Sequence, residues 1–399
     1  VRSSENWRVE SSSDRVTDRL RVVFLTHNYP RERGDVAGAF LHPLAVALRE
    51  RDVDLRVVTP SDGGRGGHGE LDGVPVHRVR YASPARETYA QSGQLASAVR
   101  SPQGLRALAG MIRALRAGAQ EAIAGAPRSV VHAQWWFPSG LAAPRTVPLV
   151  ISCHGTDVRM LERSAPARWL ARGPFHRARR VTTVSQSLAA VLRAHGARVT
   201  DDAVVPMPVT AVQRPWSRGG GGIVILGRLT DQKRVHLAIE AYAIARSRGL
   251  TLPLVIAGDG ATRAALHVLA GGLGVSESVR FLGAVPPAEV PALLETADAC
   301  LMPAVGEGFG LAAAEALMQG VPVVACSDGG GLLDVVPSQG AGRRAAPEPV
   351  AIAEALLSVL ADPAARQSAH DAGAEWRERL APGHVADRCL AWYREALDE

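Results

Sequence analysis

Two glutamates eight positions apart frame the segment Glu307-Gly-Phe-Gly-Leu-Ala-Ala-Ala-Glu315, which follows an apolar run ending near Pro303 and opens a helical pattern reaching about Gln319. Glu307 then falls in a loop at the carboxyl end of a strand and Glu315 about a turn into a helix, so both carboxylates can face one crevice. Gly308 and Gly310 admit close backbone approach. The amides of Phe309, Gly310 and Leu311 open a helix N-terminus, where free N–H groups and the dipole favour an anion. The implied chemistry is recognition of a phosphate joined to a hydroxyl-rich ligand. A second segment, Leu226-Gly-Arg-Leu-Thr-Asp-Gln-Lys-Arg234, places Arg228 and Lys233 in one strand-to-helix loop. A planar fork and a point charge suit a diphosphate. Lys233 is the single lysine among 45 basic residues, which suggests a requirement there that arginine does not meet.

Other candidates are weaker as isolated residues. His154 follows an apolar run and by itself reads as a core histidine, and Asp157 three positions on reads as a helix cap. Asp52-Val-Asp54 has the D-x-D spacing of a metal site but lies between a helix and the next strand, the wrong end of a sheet for a ligand crevice. It reads as a solvated turn, and no metal site is expected.

Those residues need a scaffold of alternating strands and helices. Apolar, β-branched runs occur at 21–26, 55–59, 74–79, 129–133, 147–152 and 181–184, with helical patterns at 40–51, 94–125, 160–172 and 186–195. A second series starts at Gly222-Ile-Val-Ile-Leu226, with runs at 252–257, 279–282 and 321–325 and helices near 235–248 and 261–273. Such alternation predicts α/β architecture with two doubly wound, mostly parallel sheets, whose ligands lie beyond the carboxyl ends of the strands. The predicted organisation is a disordered tail over 1–20, a first domain over 21–207, a linker over 208–221 rich in Pro and Gly, and a second domain over 222–383. The last helix, 384–398, is expected to pack back on the first domain.

The chain has 399 residues and is 47% hydrophobic and 21% charged, too long for a single compact core. No apolar run has the roughly 18–20 residues of a membrane-spanning helix, and the first 21 residues carry no apolar secretion signal. Four scattered cysteines suggest neither a zinc cage nor a disulfide framework and fit a cytoplasmic protein. Residues 1–209 hold 29 arginines and 18 acids, whereas 210–399 hold 15 arginines, one lysine and 21 acids, giving +11 and −5. The cluster Arg163, Arg168, Arg172, Arg177, Arg179 and Arg180, interleaved with Trp169, Leu170 and Phe175, allows peripheral contact with the anionic inner face of a membrane. Nucleic acid is not an expected partner, since no aromatic-interleaved basic platform is present.

With these motifs in hand, the chain resembles the retaining, family-4 glycosyltransferases of the GT-B fold, whose signatures include a glycine-arginine-leucine…lysine loop and a Glu-x7-Glu motif. Further likeness lies in Asn28-Tyr-Pro-Arg, Gly34-Asp-Val-Ala-Gly38-Ala-Phe40, Val131-His-Ala-Gln-Trp-Trp-Phe-Pro-Ser-Gly140, His154-Gly-Thr-Asp-Val158, Gly258-Asp-Gly260 and Ala314-Glu-Ala-Leu-Met-Gln-Gly-Val-Pro-Val-Val-Ala325. The resemblance spans about residues 20–398. It implies two Rossmann-like domains facing a central cleft. It further implies that Arg228 and Lys233 grip a donor diphosphate with help from the amides of Phe309, Gly310 and Leu311. Glu315 would bind ribose hydroxyls, Glu307 would contact the transferred sugar, Gly38 would let a first-domain loop approach the phosphate, and His154 would line the sugar.

The implied reaction moves a sugar from a nucleotide diphosphate sugar, with UDP the default, to an acceptor hydroxyl with retention and without metal or bound cofactor. Three positions depart from the family pattern: Arg234 stands where glycine is frequent, Gln134 where a second histidine is frequent, and Asp334 where glutamate is usual. A nucleotide-sugar epimerase of the same fold is the alternative, and a non-catalytic binding module is a further one.

Overall fold

The computed structural model describes residues 19–398 except 36, 91–94 and 211–218. Most of the predicted tail, and much of the predicted linker, therefore lie outside the described residues. The chain divides into two compact units: one holds the residues up to 184, 189–209 and 382 onward, the other 185–188 and 210–381.

The first unit has seven strands: β1 (Arg21–Leu25), β2 (Asp54–Pro60), β3 (Gly67–Leu71), β4 (Val74–Val79), β5 (Ser129–Gln134), β6 (Leu149–Cys153) and β7 (Arg180–Thr183). Their order is β3-β4-β2-β1-β5-β6-β7, parallel throughout except for the β3–β4 hairpin. β1 sits at the centre, and Val22 to Leu25 are fully buried, as expected for a parallel strand covered on both faces. The last helix, Pro382–Asp398, belongs to this unit and contributes Val385, Cys389, Leu390, Trp392 and Tyr393 to its core.

The second unit has six strands: β8 (Ile223–Leu226), β9 (Leu254–Ala257), β10 (Val279–Gly283), β11 (Ala299–Met302), β12 (Val323–Cys326) and β13 (Gly342–Ala345). All pair in parallel in the order β10-β9-β8-β11-β12-β13. This is the doubly wound order 3-2-1-4-5-6. It reverses between β8 and β11, so the crevice beyond the carboxyl ends of those two strands is where such a sheet receives ligands. Among the described residues no helix is long and apolar enough to cross a membrane.

Several local expectations change. The single helix expected over 160–172 is two, Thr156–Arg163 and Ala165–Arg177, separated by an extended Ser164 whose Oγ accepts from the Ala167 amide at 3.2 Å. Ser164 followed by Pro166 is a helix start, since serine is a favoured cap and proline is favoured in a first turn. The same chemistry starts the long helix at Pro102 rather than near 94, with the Ser101 Oγ accepting from the Gly104 amide at 3.0 Å. Strand β3 was not expected; Asp72 and Gly73, both at positive φ, form the Asp-Gly hairpin turn that could have revealed it.

The reading of Asp52-Val-Asp54 as a solvated turn holds only for Asp52. Asp54 is held between Arg21 at 2.8 Å and Arg56 at 3.3 Å, and these guanidiniums keep its carboxyl below the usual range against the opposing effect of burial.

The arginine-rich region is likewise less free than its composition suggests. Arg177 donates to the carbonyls of Pro144 and Ala143, Arg168 to that of Leu161, and Arg180 pairs with Asp202 and Glu395, while Phe175 is buried. Trp169 and Leu170 remain exposed.

Candidate active site

The loop after β8 is built to present two cations. Leu229 is fully buried and donates its amide to the Asp259 carbonyl at 2.8 Å, pinning the loop to the segment after β9. Arg228 is exposed and makes no ion pair among the described residues. A short turn over Asp231–Lys233 swings the lysine back over β8, so that Arg228 and Lys233 line one cavity with Gly227, Met302, Pro303 and Ala304. This cavity opens between β8 and β11, at the reversal of strand order. Arg234 adopts the left-handed conformation at φ +47, which explains why glycine suits this position; here its guanidinium is tied to Asp328 at 2.8 Å.

The loop after β11 meets the first loop side on. Lys233 Nζ lies 2.9 Å from Glu307 Oε1, with both side chains largely buried. Gln232, which the sequence did not single out, clamps the two loops. Its carbonyl accepts from the Val305 amide at 3.0 Å, and its Nε2 donates to Val305 O at 3.3 Å and to Glu307 Oε1 at 3.4 Å. The main chain of Glu307 is fixed as well, its amide donating to Gly329 at 2.7 Å and its carbonyl accepting from Gly331 at 2.8 Å. Gly330 lies so close that a Cβ would meet the Gly306 Cα at 2.8 Å.

Beyond Glu307 the chain turns into the helix Leu311–Met318, capped by Gly310 at φ +98. The amides of Phe309, Gly310 and Leu311 find no backbone acceptor among the described residues. The Phe309 side chain is buried edge-on against Trp376 at 5.6 Å, which anchors the turn. Glu315 makes no side-chain hydrogen bond or ion pair among the described residues, and burial pushes its carboxyl up to about 7. Its charge is felt by Cys300 on β11.

The first unit holds the other two candidates. Gly38, at φ +68, has no room for a side chain, since a Cβ would sit 2.4 Å from the Asn28 carbonyl oxygen. The turn it makes delivers Phe40 onto His154, with ring centroids 4.9 Å apart. His154 follows β6 and packs on Trp135 at 4.8 Å, which in turn packs on His27 at 4.5 Å. His154 Nε2 donates to Gln134 Oε1 at 2.8 Å, leaving Nδ1 a buried acceptor without a partner. Burial, then the neighbouring His132 and His27, hold its pKa down to about 3, so the ring is neutral at physiological pH. It can accept a hydrogen bond but is not a proton donor in the manner of an imidazolium. Asp157 is not the helix cap expected of it: Gly155 holds the cap position, and Asp157, buried in the first turn, accepts from the amides of His154 and Gly155, each at 3.1 Å.

The structure thus brings together Arg228, Lys233, Glu307 and the three amides of 309–311 in the second unit, whereas Gly38 and His154 form a separate cluster in the first. Trp135, at a strained φ of +69, is a further residue that sequence reasoning passed over, although strain of this kind concentrates at functional sites.

The chain is similar to known proteins in sequence and in fold. The family described as "Glycosyl transferases group 1" matches residues 215–376, and the "Glycosyl transferase 4-like domain" matches 37–208. A 2-deoxystreptamine glucosyltransferase of Streptomyces kanamyceticus is 35% identical over 252 residues, covering 59% of this chain and 64% of that protein. The sucrose-phosphate synthase of Thermosynechococcus elongatus superposes with a TM-score of 0.70 at 20% identity, covering 94% of this chain and 98% of that one. Anabaena HepE in complex with UDP and glucose superposes with a TM-score of 0.65 at 19% identity, covering 94% and 99%. The two doubly wound units, the reversal-point loops and these matches together place the chain in the group 1, family-4 glycosyltransferases of GT-B fold.

Proposed function

We propose that the chain transfers a glycosyl group from a nucleoside diphosphate sugar, with UDP as the carrier, to an acceptor hydroxyl with retained configuration. The observation that carries this reading is the Lys233–Glu307 pair with Arg228 and the amides of 309–311, which have no partner among the described residues. An anion and a polyol can be held side by side there. The diphosphate lies against Lys233, Arg228 and the helix N-terminus, the sugar hydroxyls against Glu307, and the ribose hydroxyls against Glu315. HepE, whose structure holds UDP and glucose, supports this choice of donor class. The first acceptor to test is 2-deoxystreptamine, for which the relative from Streptomyces kanamyceticus is named. Departure of the diphosphate builds negative charge, and preorganised cationic and amide donors stabilise it. Among the described residues no carboxylate is placed as a nucleophile in the manner of retaining hydrolases, which favours a front-face route with the leaving phosphate taking the acceptor proton. The site of action is cytoplasmic.

Thermal unfolding against UDP, GDP, ADP, dTDP and NAD tests the reading. A ligand at about 100 times its Kd adds roughly 2.7 kcal/mol, several degrees of Tm for units of this size. One nucleoside diphosphate is expected to shift Tm; a flat response to all five overturns the proposal. Because Arg228, Lys233 and the amides supply the cationic character that a divalent ion gives other transferases, transfer is expected to survive EDTA. A strict requirement for added Mg²⁺ or Mn²⁺ in the transfer assay would overturn that part.

A further inference from the structure

A cluster in the first unit has ligand chemistry that the glycosyltransferase reading does not use. In the β3–β4 hairpin, His68 and His77 are direct cross-strand partners and their rings stack at 3.9 Å. Glu121, near the end of the helix Pro102–Ile123, reaches both: its Oε1 lies 3.2 Å from His68 Nε2 and its Oε2 lies 3.6 Å from His77 Nδ1. One nitrogen from each histidine and one carboxylate oxygen lie within 4.8 Å of one another, and among the described residues no other three metal-ligating side chains do so. Zinc bonds to nitrogen and oxygen of about 2.0–2.2 Å place tetrahedral ligand atoms about 3.3–3.5 Å apart, so side-chain adjustments of about an ångström bring one Glu121 oxygen and the two nitrogens, now within 4.8 Å, into a ligand set.

The local structure is shaped to bring these groups together. Gly118 stands one turn before Glu121 on the same helix face, and a Cβ there would meet Val79 Cγ1 at 2.7 Å and Val58 Cγ1 at 2.9 Å. Glycine inside a helix costs about 1 kcal/mol relative to alanine. Here it lets the helix approach the sheet closely enough for Glu121 to overhang the hairpin. The hairpin itself needs support: β3 is an edge strand, Gly67-His-Gly-Glu-Leu71, with two glycines and four exposed residues, a composition that forms strands poorly.

We propose that His68, His77 and Glu121 bind a divalent transition ion of the Zn²⁺ type that fastens the edge hairpin to the long helix. Two imidazoles and one carboxylate favour Zn²⁺, Co²⁺ or Ni²⁺ over Mg²⁺ and Ca²⁺, which take oxygen ligands. A water completes four-coordination. The role is structural. The cluster sits on β3 and β4, outside β2 and β1, whereas a sheet of this kind receives ligands where its strand order reverses, here between β1 and β5.

The test uses the full chain without a polyhistidine tag, stripped with a chelator and dialysed, then titrated with Co²⁺, Zn²⁺ and Mg²⁺. One equivalent of Co²⁺ is expected to give the visible bands of a four-coordinate site. Zn²⁺ should displace it and raise Tm, and Mg²⁺ should do neither. Loss of an outer-shell partner alone costs about 10–100-fold in metal affinity, so loss of a ligand in His68→Ala or Glu121→Gln is expected to cost at least about 100-fold. Both side chains are partly exposed, and circular dichroism checks that each variant folds. His384→Ala, an exposed histidine on the last helix, should bind as the parent does. Absence of stoichiometric Co²⁺ and Zn²⁺ binding, or binding left unchanged in both ligand variants, overturns the site.

Discussion

Lys233→Met is expected to lower kcat/KM for sugar transfer by about 10²–10³-fold, the effect of deleting one preorganised donor worth about 3–4 kcal/mol at a developing charge. The ammonium is held 2.9 Å from Glu307 at the mouth between β8 and β11, so it needs little rearrangement to meet a departing diphosphate. Its removal leaves the Glu307 carboxylate, among the described residues, with the 3.4 Å contact from Gln232 alone. Breaking a fully buried ion pair costs about 3–5 kcal/mol; this pair is partly open to solvent, so the stability loss is smaller and unfolding does not explain the kinetic effect. Glu307→Gln separates the roles. It frees Lys233 from its counter-charge, so nucleotide affinity is expected to hold or rise while kcat falls. Lys233→Arg is expected to fail as well, because a planar fork has a different shape from a point charge and does not reproduce the single ammonium contact to Glu307. Steady-state kinetics with nucleotide binding by calorimetry decide the matter. A Lys233→Met enzyme within a factor of ten of the parent would mean that the diphosphate is held elsewhere.

The two doubly wound units were legible because their strands are short apolar runs alternating with helical patterns. The family was legible because several motifs stand in order. The pairing of Lys233 with Glu307 was not legible: those residues are far apart in sequence, and they meet only because β8 and β11 are neighbours in the sheet. Strand adjacency also hides Gln232, an unremarkable polar residue until two loops close over it. The edge hairpin was missed because Gly67-His-Gly-Glu-Leu71 lacks apolar alternation, and its pairing comes from a turn and a neighbour rather than from its own side chains. The helix break at Ser164 was present in the serine and proline spacing but was overridden by the apolar pattern on either side. Charge counting leaves out what each guanidinium pairs with. Arg168, Arg177 and Arg180 are committed to carbonyls and carboxylates of their own unit, so composition overstated the free positive surface.

Glu315→Gln is expected to stabilise the ligand-free protein at pH 8 while weakening nucleotide binding by at least about 100-fold, a pairing of signs that a merely structural residue would not give. Burial raises the folded-state pKa of Glu315 to about 7, above that of the unfolded chain. The folded form therefore holds a proton that the unfolded form has already lost, and the associated stability is present in full below the ordinary carboxylate range. It declines as pH rises through about 7, by about 3 kcal/mol at 1.36 kcal/mol per pKa unit. Above that pH the apo protein carries a half-buried carboxylate with no partner among the described residues, a cost that glutamine relieves. Nucleotide reverses the balance: two ribose hydroxyls donating to the carboxylate each supply about 1.5–3 kcal/mol as hydrogen bonds to a charged group and pull its pKa down. Affinity for UDP in the parent is therefore expected to rise with pH up to about 7 and to level off above it, with proton release on binding measurable in buffers of different ionisation enthalpy. In Glu315→Gln both the pH dependence of apo stability near neutrality and the pH dependence of binding should vanish together. A variant that is less stable than the parent at pH 8, or that binds UDP as the parent does, would remove Glu315 from the nucleotide site and leave its burial a matter of packing against β11.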